Sequence, residues 1–109
     1  MKSIQEEICQ KYQAVYLPCH KGEKVGIALN TLGLEPLNAL RHPPEGNTCG
    51  GYIWGGTTLS KAVDFFQPLH VDHLSERCFK IVPYLGLAPG WRVLIANGYV
   101  DVWYDEALF

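Results

Sequence analysis

Two histidines three residues apart, His70 and His73, are the side chains of this sequence best spaced for metal chemistry. On a helix they share one face, whereas on a strand His70 shares its face with Asp72 instead. Neither geometry presents the three or four ligands of a zinc site, so distant residues would have to complete it. The candidates are His20, His42 and Cys49. A structural or capping role for the two histidines is therefore favoured over a metal site.

Nucleophilic catalysis by Cys49 is a second possible chemistry, because this cysteine precedes a pair of glycines. A catalytic thiolate needs an adjacent base that is itself held in place by a third group. His70 and His73 are distant from Cys49 in the sequence, so only the fold could bring either of them close to its thiol. No common catalytic or phosphate-binding motif occurs. The alternative hypothesis is thus a small metal- or Cys-dependent enzyme using His70, His73 and, in one version, Cys49. The favoured prediction is a non-enzyme with no catalytic residue, no cofactor and no metal.

Length and charge exclude several functional classes. The chain has 109 residues and a formal net charge of −2, which predicts one domain over residues 1–109. This charge argues against electrostatic binding of nucleic acid or of an anionic membrane surface. No apolar run approaches the 20 or so residues of a transmembrane helix.

The cysteines are expected to be free thiols. The amino-terminal stretch shows no secretory apolar region, and no C-x-x-C spacing occurs, so a reducing cytoplasmic location is predicted. Two of them fall on apolar helical faces, where a free cysteine behaves as a small hydrophobic residue. The four are Cys9, Cys19, Cys49 and Cys78.

Several elements must position these side chains. Ser3 and Glu6 form a capping-box pattern that begins a helix over residues 4–15. Short apolar runs predict strands at residues 25–29 and 52–54. A short helix is predicted at residues 37–41, a long loop at 41–51 and a turn of helix within 57–67. A second helical pattern covers residues 71–82, where Pro83 should end it.

The clearest element is a hairpin at the end of the chain. Residues 91–96 and 99–104 are rich in β-branched and aromatic side chains, and Asn97-Gly98 between them is typical of a type I′ turn. The predicted pairs include Ile95 with Val100 and Val93 with Val102. The fold class is predicted as α+β: an antiparallel sheet of about four strands, including this hairpin, flanked by two main helices.

Aromatic residues on the predicted strands suggest a binding surface. Strand alternation sends half of them into the core and leaves the others outward, near Asp101 and Asp105. Tryptophan, tyrosine and arginine commonly anchor protein interfaces, although the same side chains could simply fill the core of a small domain. They are Tyr52, Trp54, Trp91, Tyr99, Trp103 and Tyr104.

Five sequence blocks resemble a known family of small bacterial proteins. They are NALRHPPEGNT (38–48), GYIWGG (51–56), DFFQPLHVDHL (64–74), YLGLAPGWRVLI (84–95) and GYVDVWYDEAL (98–108). The chain resembles, over residues 25–109, the immunity-protein-like family grouped with bacterial polymorphic toxin systems. One departure is residues 60–63, SKAV, where a more acidic run is expected before Asp64. If that run contacts the toxin, the choice of partner differs here.

The resemblance implies a cytoplasmic binding module that neutralises a cognate toxin by protein–protein contact, with no catalytic residue and no obligatory cofactor. The expected contact surface is the loop at residues 41–51 together with the outer face of the hairpin. Whether that outer face carries Asp101 and Trp103, or Val102 and Tyr104, is left open by the sequence. The candidate partner-binding residues are Arg41, His42, Glu45, Asn47, Trp54, His70, Asp101, Trp103 and Asp105.

Overall fold

A six-stranded sheet organises the computed structural model, which describes residues 2–109. The strands are β1 (Lys24–Ile27), β2 (Leu37–Arg41), β3 (Thr48–Gly55), β4 (Gln67–His70), β5 (Trp91–Ala96) and β6 (Tyr99–Tyr104). Their order across the sheet is β4-β1-β3-β2-β5-β6. All neighbours are antiparallel except β1 and β3, which run parallel. The α+β class is confirmed, but the prediction of about four strands in a wholly antiparallel sheet is wrong.

Strand β2 replaces the short helix predicted at residues 37–41. Leu37 and Leu40 are three residues apart, a spacing that also fits one side of a helix. The strand lies in the middle of the sheet, where both faces are buried, and the two leucines pack into different cores. A doubly buried strand lacks the polar–apolar alternation that distinguishes strands from helices.

The segment before β4 also differs from its prediction. Residues 57–66 are irregular, with a turn and a bend only at residues 63–66 and a bend at 57, instead of a turn of helix, and the strand begins at Gln67. The Gln67 side chain explains this local path: its Nε2 donates to the Asp64 carbonyl at 2.7 Å, and its Oε1 accepts from the Leu29 amide at 3.3 Å. These bonds connect the irregular segment to Leu29, two residues after the end of β1.

Helix α1 (Ile4–Tyr12) begins as the sequence predicts. The Glu6 amide donates to Ser3 Oγ at 3.1 Å, and the Glu6 carboxylate accepts from the Ser3 amide at 3.3 Å. The helix ends three residues before the predicted boundary, because Gln13 adopts a left-handed conformation with φ of 57°. The amide of Gln13 then satisfies carbonyls of the last turn, as helix-ending residues commonly do.

The second helical region is shorter than predicted. Helix α2 spans only Leu74–Arg77, with 3-10 turns at Val71–His73 and Phe79–Tyr84 on either side. Cys78 interrupts the region, with φ of −152° and ψ of 68°. Pro83 lies inside the second 3-10 turn, where its missing amide is tolerated. No helix in residues 2–109 has the length and apolar character needed to cross a membrane.

The β5–β6 hairpin is confirmed, including the pairs Ile95 with Val100 and Val93 with Val102. Its turn is not type I′, however. Gly98 has φ of 72°, whereas Asn97 does not take a positive φ, and its amide donates to Glu35 Oε2 at 3.1 Å. A type I′ turn requires positive φ at both central residues.

The two faces of the sheet carry separate cores. On the first face, sheet residues such as Val25, Ile27, Ile53 and Val93 pack against α1, α2 and the turn after it. On the second face a smaller cluster contains Ala28, Leu40, Trp54 and Leu108, with Phe65 and Phe66 against it. The second face is therefore covered mainly by residues 57–66 and by the 3-10 turn Glu106–Leu108.

Candidate functional site

The β5–β6 part of the second face is open to solvent. Register places Arg92 opposite Trp103 and Leu94 opposite Asp101, so these four side chains share one face. Trp103 is 36% exposed and Tyr99 is 55% exposed, and Asp101 is also exposed. Tyr52 of β3 lies on the same face, because Leu40 is paired with both Tyr52 and Arg92, and it is 37% exposed. We call the set Tyr52, Arg92, Leu94, Tyr99, Asp101 and Trp103 the open face. Val102 and Tyr104 point to the other side, where Val102 is part of the core.

Arg92, the basic residue of the open face, is held in place by electrostatic contacts. Arg92 Nη1 lies 3.0 Å from Asp105 Oδ2, and the Arg92 guanidinium lies 5.7 Å from the centroid of the Trp103 ring. The Ala107 amide and Arg92 together hold the pKa of the Asp105 carboxyl below its usual value. Asp105 also begins the 3-10 turn Glu106–Leu108 by accepting from that amide at 2.9 Å. Asp105 thus serves to order the face and the turn beside it.

A shallow apolar groove of about 170 Å³ adjoins the open face. At its rim, His42 Nδ1 donates to the Leu108 carbonyl at 2.8 Å, and the His42 ring meets Tyr52 edge-on at 5.7 Å. These contacts hold His42 half-buried. Its other ring nitrogen is the polar atom of the side chain that is not used in this hydrogen bond. The groove is lined by Leu40, His42, Tyr52, Trp54, Leu59 and Phe66.

The predicted loop is shorter than expected. Arg41 belongs to β2, and residues 48–51 belong to β3, so the connection is only residues 42–47. Glu45 and Asn47 are exposed on it. Arg41 and Trp54, also predicted to contact a partner, are only 7% and 4% exposed. Their side chains are committed to the two cores and are not part of the accessible surface.

His70 is exposed but lies on β4, at the edge of the sheet opposite β6. Five strand spacings separate the two edges, which is about 24 Å. The structure therefore does not bring His70 together with Asp101 and Trp103. The predicted surface divides into the open face with the nearby loop and the distant His70.

The histidine and cysteine candidates for chemistry do not converge. The rings of His70 and His73 are 6.3 Å apart, and both residues are exposed. Across residues 2–109 no group of three or more His, Cys, Asp or Glu side chains could hold a metal ion. Cys49 is fully buried, and the group that contacts its thiol is Cys19 rather than an imidazole. The structure thus does not bring Cys49 together with His70 and His73, the three residues of the enzyme alternative.

A buried polar cluster around Arg41 was not predicted from the sequence. Arg41 Nε donates to the Cys49 carbonyl at 2.8 Å, and its Nη1 donates to the carbonyls of Leu87, at 2.9 Å, and of Leu17. One signal was available: Leu37, Ala39 and Arg41 occupy alternate positions of an apolar run, which places the arginine on a core-facing side of a strand.

The Cys19–Cys49 pair completes this cluster. A hydrogen bond from Cys19, the Gly51 amide and the Arg41 guanidinium lower the pKa of the Cys49 thiol to about 7, although burial opposes them. The same hydrogen bond and burial raise the pKa of Cys19. The Cys19 hydrogen bond is the main cause that favours the ionised form of Cys49, and the permanent positive charge of Arg41 adds to it.

The protein is thus a small α+β domain. One face of its sheet is covered, and the other is partly open to solvent. The family model of the Imm33-like domain matches residues 4–105, and the chain belongs to the Imm33-like family. The resemblance to an immunity-protein-like family, carried by the five sequence blocks, is thereby confirmed. Searches of curated proteins and of solved structures give no match.

Proposed function

We propose that the protein is a bacterial immunity protein that binds a cognate toxin and neutralises it by protein–protein contact. The observation that carries this proposal is membership of the Imm33-like family over residues 4–105. In this proposal the protein acts as a binding module rather than as an enzyme. Its partner is a protein, not a nucleic acid or a membrane, and it acts in the cytoplasm.

We place the toxin contact on the open face, extended by the loop at residues 42–47. Trp103, Tyr99 and Tyr52 supply exposed aromatic area there, and Asp101, Glu45 and Asn47 supply polar groups. Hot spots are enriched in tryptophan, tyrosine and arginine, and a polar rim usually surrounds them. An inhibitory complex of ordinary size buries on the order of 1,600 Å². His70 and the buried residues Arg41 and Trp54 are outside this surface.

The segment 57–66 is the proposed source of partner choice. It borders the groove through Leu59 and Phe66, and Lys61 and Val63 within it are exposed. Its SKAV sequence at residues 60–63 differs from the acidic run that the family resemblance leads us to expect. A toxin surface matched to this member would therefore be less basic at that point than the surface matched to its relatives.

The test is rescue of cells that express the toxin encoded next to this gene. Co-expression of the immunity protein should restore growth, and the two proteins should co-purify. Trp103→Ala should weaken rescue, while Asp72→Ala, an exposed change on the turn Val71–His73 away from the open face, should rescue fully. A gene neighbourhood with no toxin, or no rescue by the wild-type protein, would refute the proposal.

A further inference from the structure

The two edge strands of the sheet differ in how well they are protected. Strand β4 has only four residues and contains Pro68, which cannot donate a backbone hydrogen bond. Strand β6 has six residues that pair with β5 without a bulge, and it contains no proline and no lysine. Natural sheets commonly block their edges with such devices. The β6 edge is not short, bulged or interrupted by proline or lysine, and its one charged side chain is Asp101; no described strand pairs with its far side.

The direction of the free backbone groups on β6 follows from one hydrogen bond. The Asp105 amide donates to the Gly90 carbonyl at 2.7 Å, so the backbone amide of Asp105 points toward the β5 side. Bonding alternates along an antiparallel ladder. The amides and carbonyls of Tyr99, Asp101 and Trp103 therefore face β5. Those of Val100, Val102 and Tyr104 face outward and form the template for one more strand.

Charge indicates what kind of chain can pair there. Residues 1–90 hold eight basic and eight acidic side chains, whereas residues 91–109 hold Arg92 against Asp101, Asp105 and Glu106. The net charge of the protein thus resides in the hairpin and the turn after it. Glu35 adds a further carboxylate at the hairpin turn through its bond to the Asn97 amide. A basic segment is favoured beside this edge, and a second acidic hairpin is repelled.

We infer that β6 is the docking strand for an extended, basic segment of the toxin, which adds a seventh strand to the sheet. The inference rests on the proposed immunity function and specifies how the partner is held. Backbone bonds to Val100, Val102 and Tyr104 provide affinity. Alternate side chains of the added strand lie beside Trp103 and Asp101 on the open face and provide specificity.

The test compares Val100→Pro with Val100→Ala in binding to a catalytically inactive form of the toxin encoded next to this gene. Proline removes the outward amide of Val100 but no bond to β5, and alanine trims the side chain while keeping the amide. Val100→Pro should weaken binding by at least about tenfold, and Val100→Ala should stay within about threefold of wild type. Matching melting temperatures for the two variants show that both fold.

Hydrogen exchange on the wild-type complex gives a second measurement that needs no variant. The amides of Val100, Val102 and Tyr104 should gain protection on binding, while those of Asp101 and Trp103, already bonded to β5, should change little. Wild-type-like binding by Val100→Pro with unprotected outward amides overturns strand docking and leaves the immunity function intact. If the immunity protein forms a dimer that Val100→Pro dissociates, the β6 edge pairs with a second copy of the chain. That result also overturns docking of a toxin strand. Failure of the wild type to bind any toxin overturns both proposals.

Discussion

Arg41 is the residue on which three separate chain segments depend. Its guanidinium joins the stretch after α1, the strand β3 and the turn before β5 through the carbonyls of Leu17, Cys49 and Leu87. Burying a charge is costly unless it is hydrogen-bonded and compensated. Three carbonyl oxygens accept its hydrogen bonds, and the lowered pKa of the neighbouring Cys49 thiol favours a negative charge beside it. The planar, forked donor set of arginine reaches several acceptors at once, which lysine cannot reproduce.

Replacing Arg41 should therefore destabilise the fold strongly. We expect Arg41→Leu to lower the free energy of unfolding by about 2–4 kcal/mol, because buried carbonyl groups lose their charged donor. Arg41→Lys should recover only part of this loss. Urea denaturation measures both. Arg77→Leu, at an exposed position on α2, is the matched control and should change stability by less than about 0.5 kcal/mol. Equal effects at the two positions would contradict a structural role for the Arg41 cluster.

The Cys19–Cys49 pair should make stability depend on pH in a distinctive way. The pKa of Cys49 falls to about 7 in the folded protein from an ordinary value of 9.0. Between these two values the unfolded chain binds more protons than the folded one, so stability should rise with pH. Cys19 has a raised pKa and keeps its proton after folding. Above 9.0 the folded state therefore binds more protons, and stability should fall.

Denaturation midpoints across this pH range test the prediction, with Cys49→Ala as the comparison. The variant should lose the rise above pH 7 even though its overall stability also changes, because the slope depends on titration alone. Parallel curves for the wild type and Cys49→Ala would show that Cys49 does not titrate in this range.

At the scale of elements, two glycines with positive φ test how turns and strands differ. Gly98 has φ of +72° in the hairpin turn, with no atom within 4 Å of an added Cβ. Gly50 has φ of +85° within β3, where an added Cβ would collide with the His42 carbonyl. We expect Gly98→Ala to cost about 1 kcal/mol from backbone strain alone. Gly50→Ala should cost about 3 kcal/mol or prevent folding.

Thermal melts of Gly98→Ala and Gly50→Ala distinguish backbone strain alone from strain combined with a steric collision. A β-branched residue is more strained at positive φ, so Gly98→Val should cost more than Gly98→Ala, on the order of 1–3 kcal/mol. If Gly50→Ala melts like Gly98→Ala, the contact between β3 and His42 is not as close as the structure shows.

The elements that the sequence predicts well are those with local signals. The capping box of α1 and the Asn97-Gly98 turn act over three or four residues, and both occur where expected, although the turn is not type I′. Helix α2 and the adjoining turns follow the predicted span but not its regularity, because Cys78 leaves the helical conformation. Strand β2 could not be recognised. Its apolar run is compatible with either structure. Only its pairing decides for a strand, with β3 across the connection 42–47 and with β5, which is distant in sequence.

The candidate surface could be predicted only in part for a similar reason. Strand alternation puts Asp101 and Trp103 on one face, but which face is solvated depends on where residues 57–66 and the chain end pack. Trp54 resembles Trp103 in the sequence, yet it is buried because Phe66 and the second core cover it. Pairing of Cys19 with Cys49 required the register of β3 against the segment after α1, which no local pattern encodes.

At the scale of the whole molecule, both sheet faces carry a core, but the β5–β6 part of the second face is open to solvent. Val102 and Trp103 are neighbours in β6 with opposite orientations. We expect Val102→Ala to lower stability by about 1–3 kcal/mol, since it leaves a cavity in the first core. Trp103→Ala and Asp101→Ala should mainly weaken toxin binding, and Asp101→Ala should change stability by less than about 0.5 kcal/mol. Melting curves and binding isotherms for all three variants separate the two effects.

The uneven distribution of charge over the molecule leads to a prediction about association kinetics. With the net negative charge concentrated in residues 91–109, a basic toxin segment should be steered toward the hairpin before contact. Steering acts over roughly the Debye length, about 10 Å at 0.1 M salt, so the association rate should fall as salt is added while the dissociation rate changes little.

Asp101→Asn keeps the shape of the side chain and removes one charge. It should flatten the salt dependence of the association rate, whereas Asp72→Asn, on the turn Val71–His73 outside the hairpin, should leave that dependence close to wild type. Stopped-flow mixing at several salt concentrations measures these rates. Equal slopes for the two variants would mean that total charge, rather than the acidic hairpin, governs the encounter.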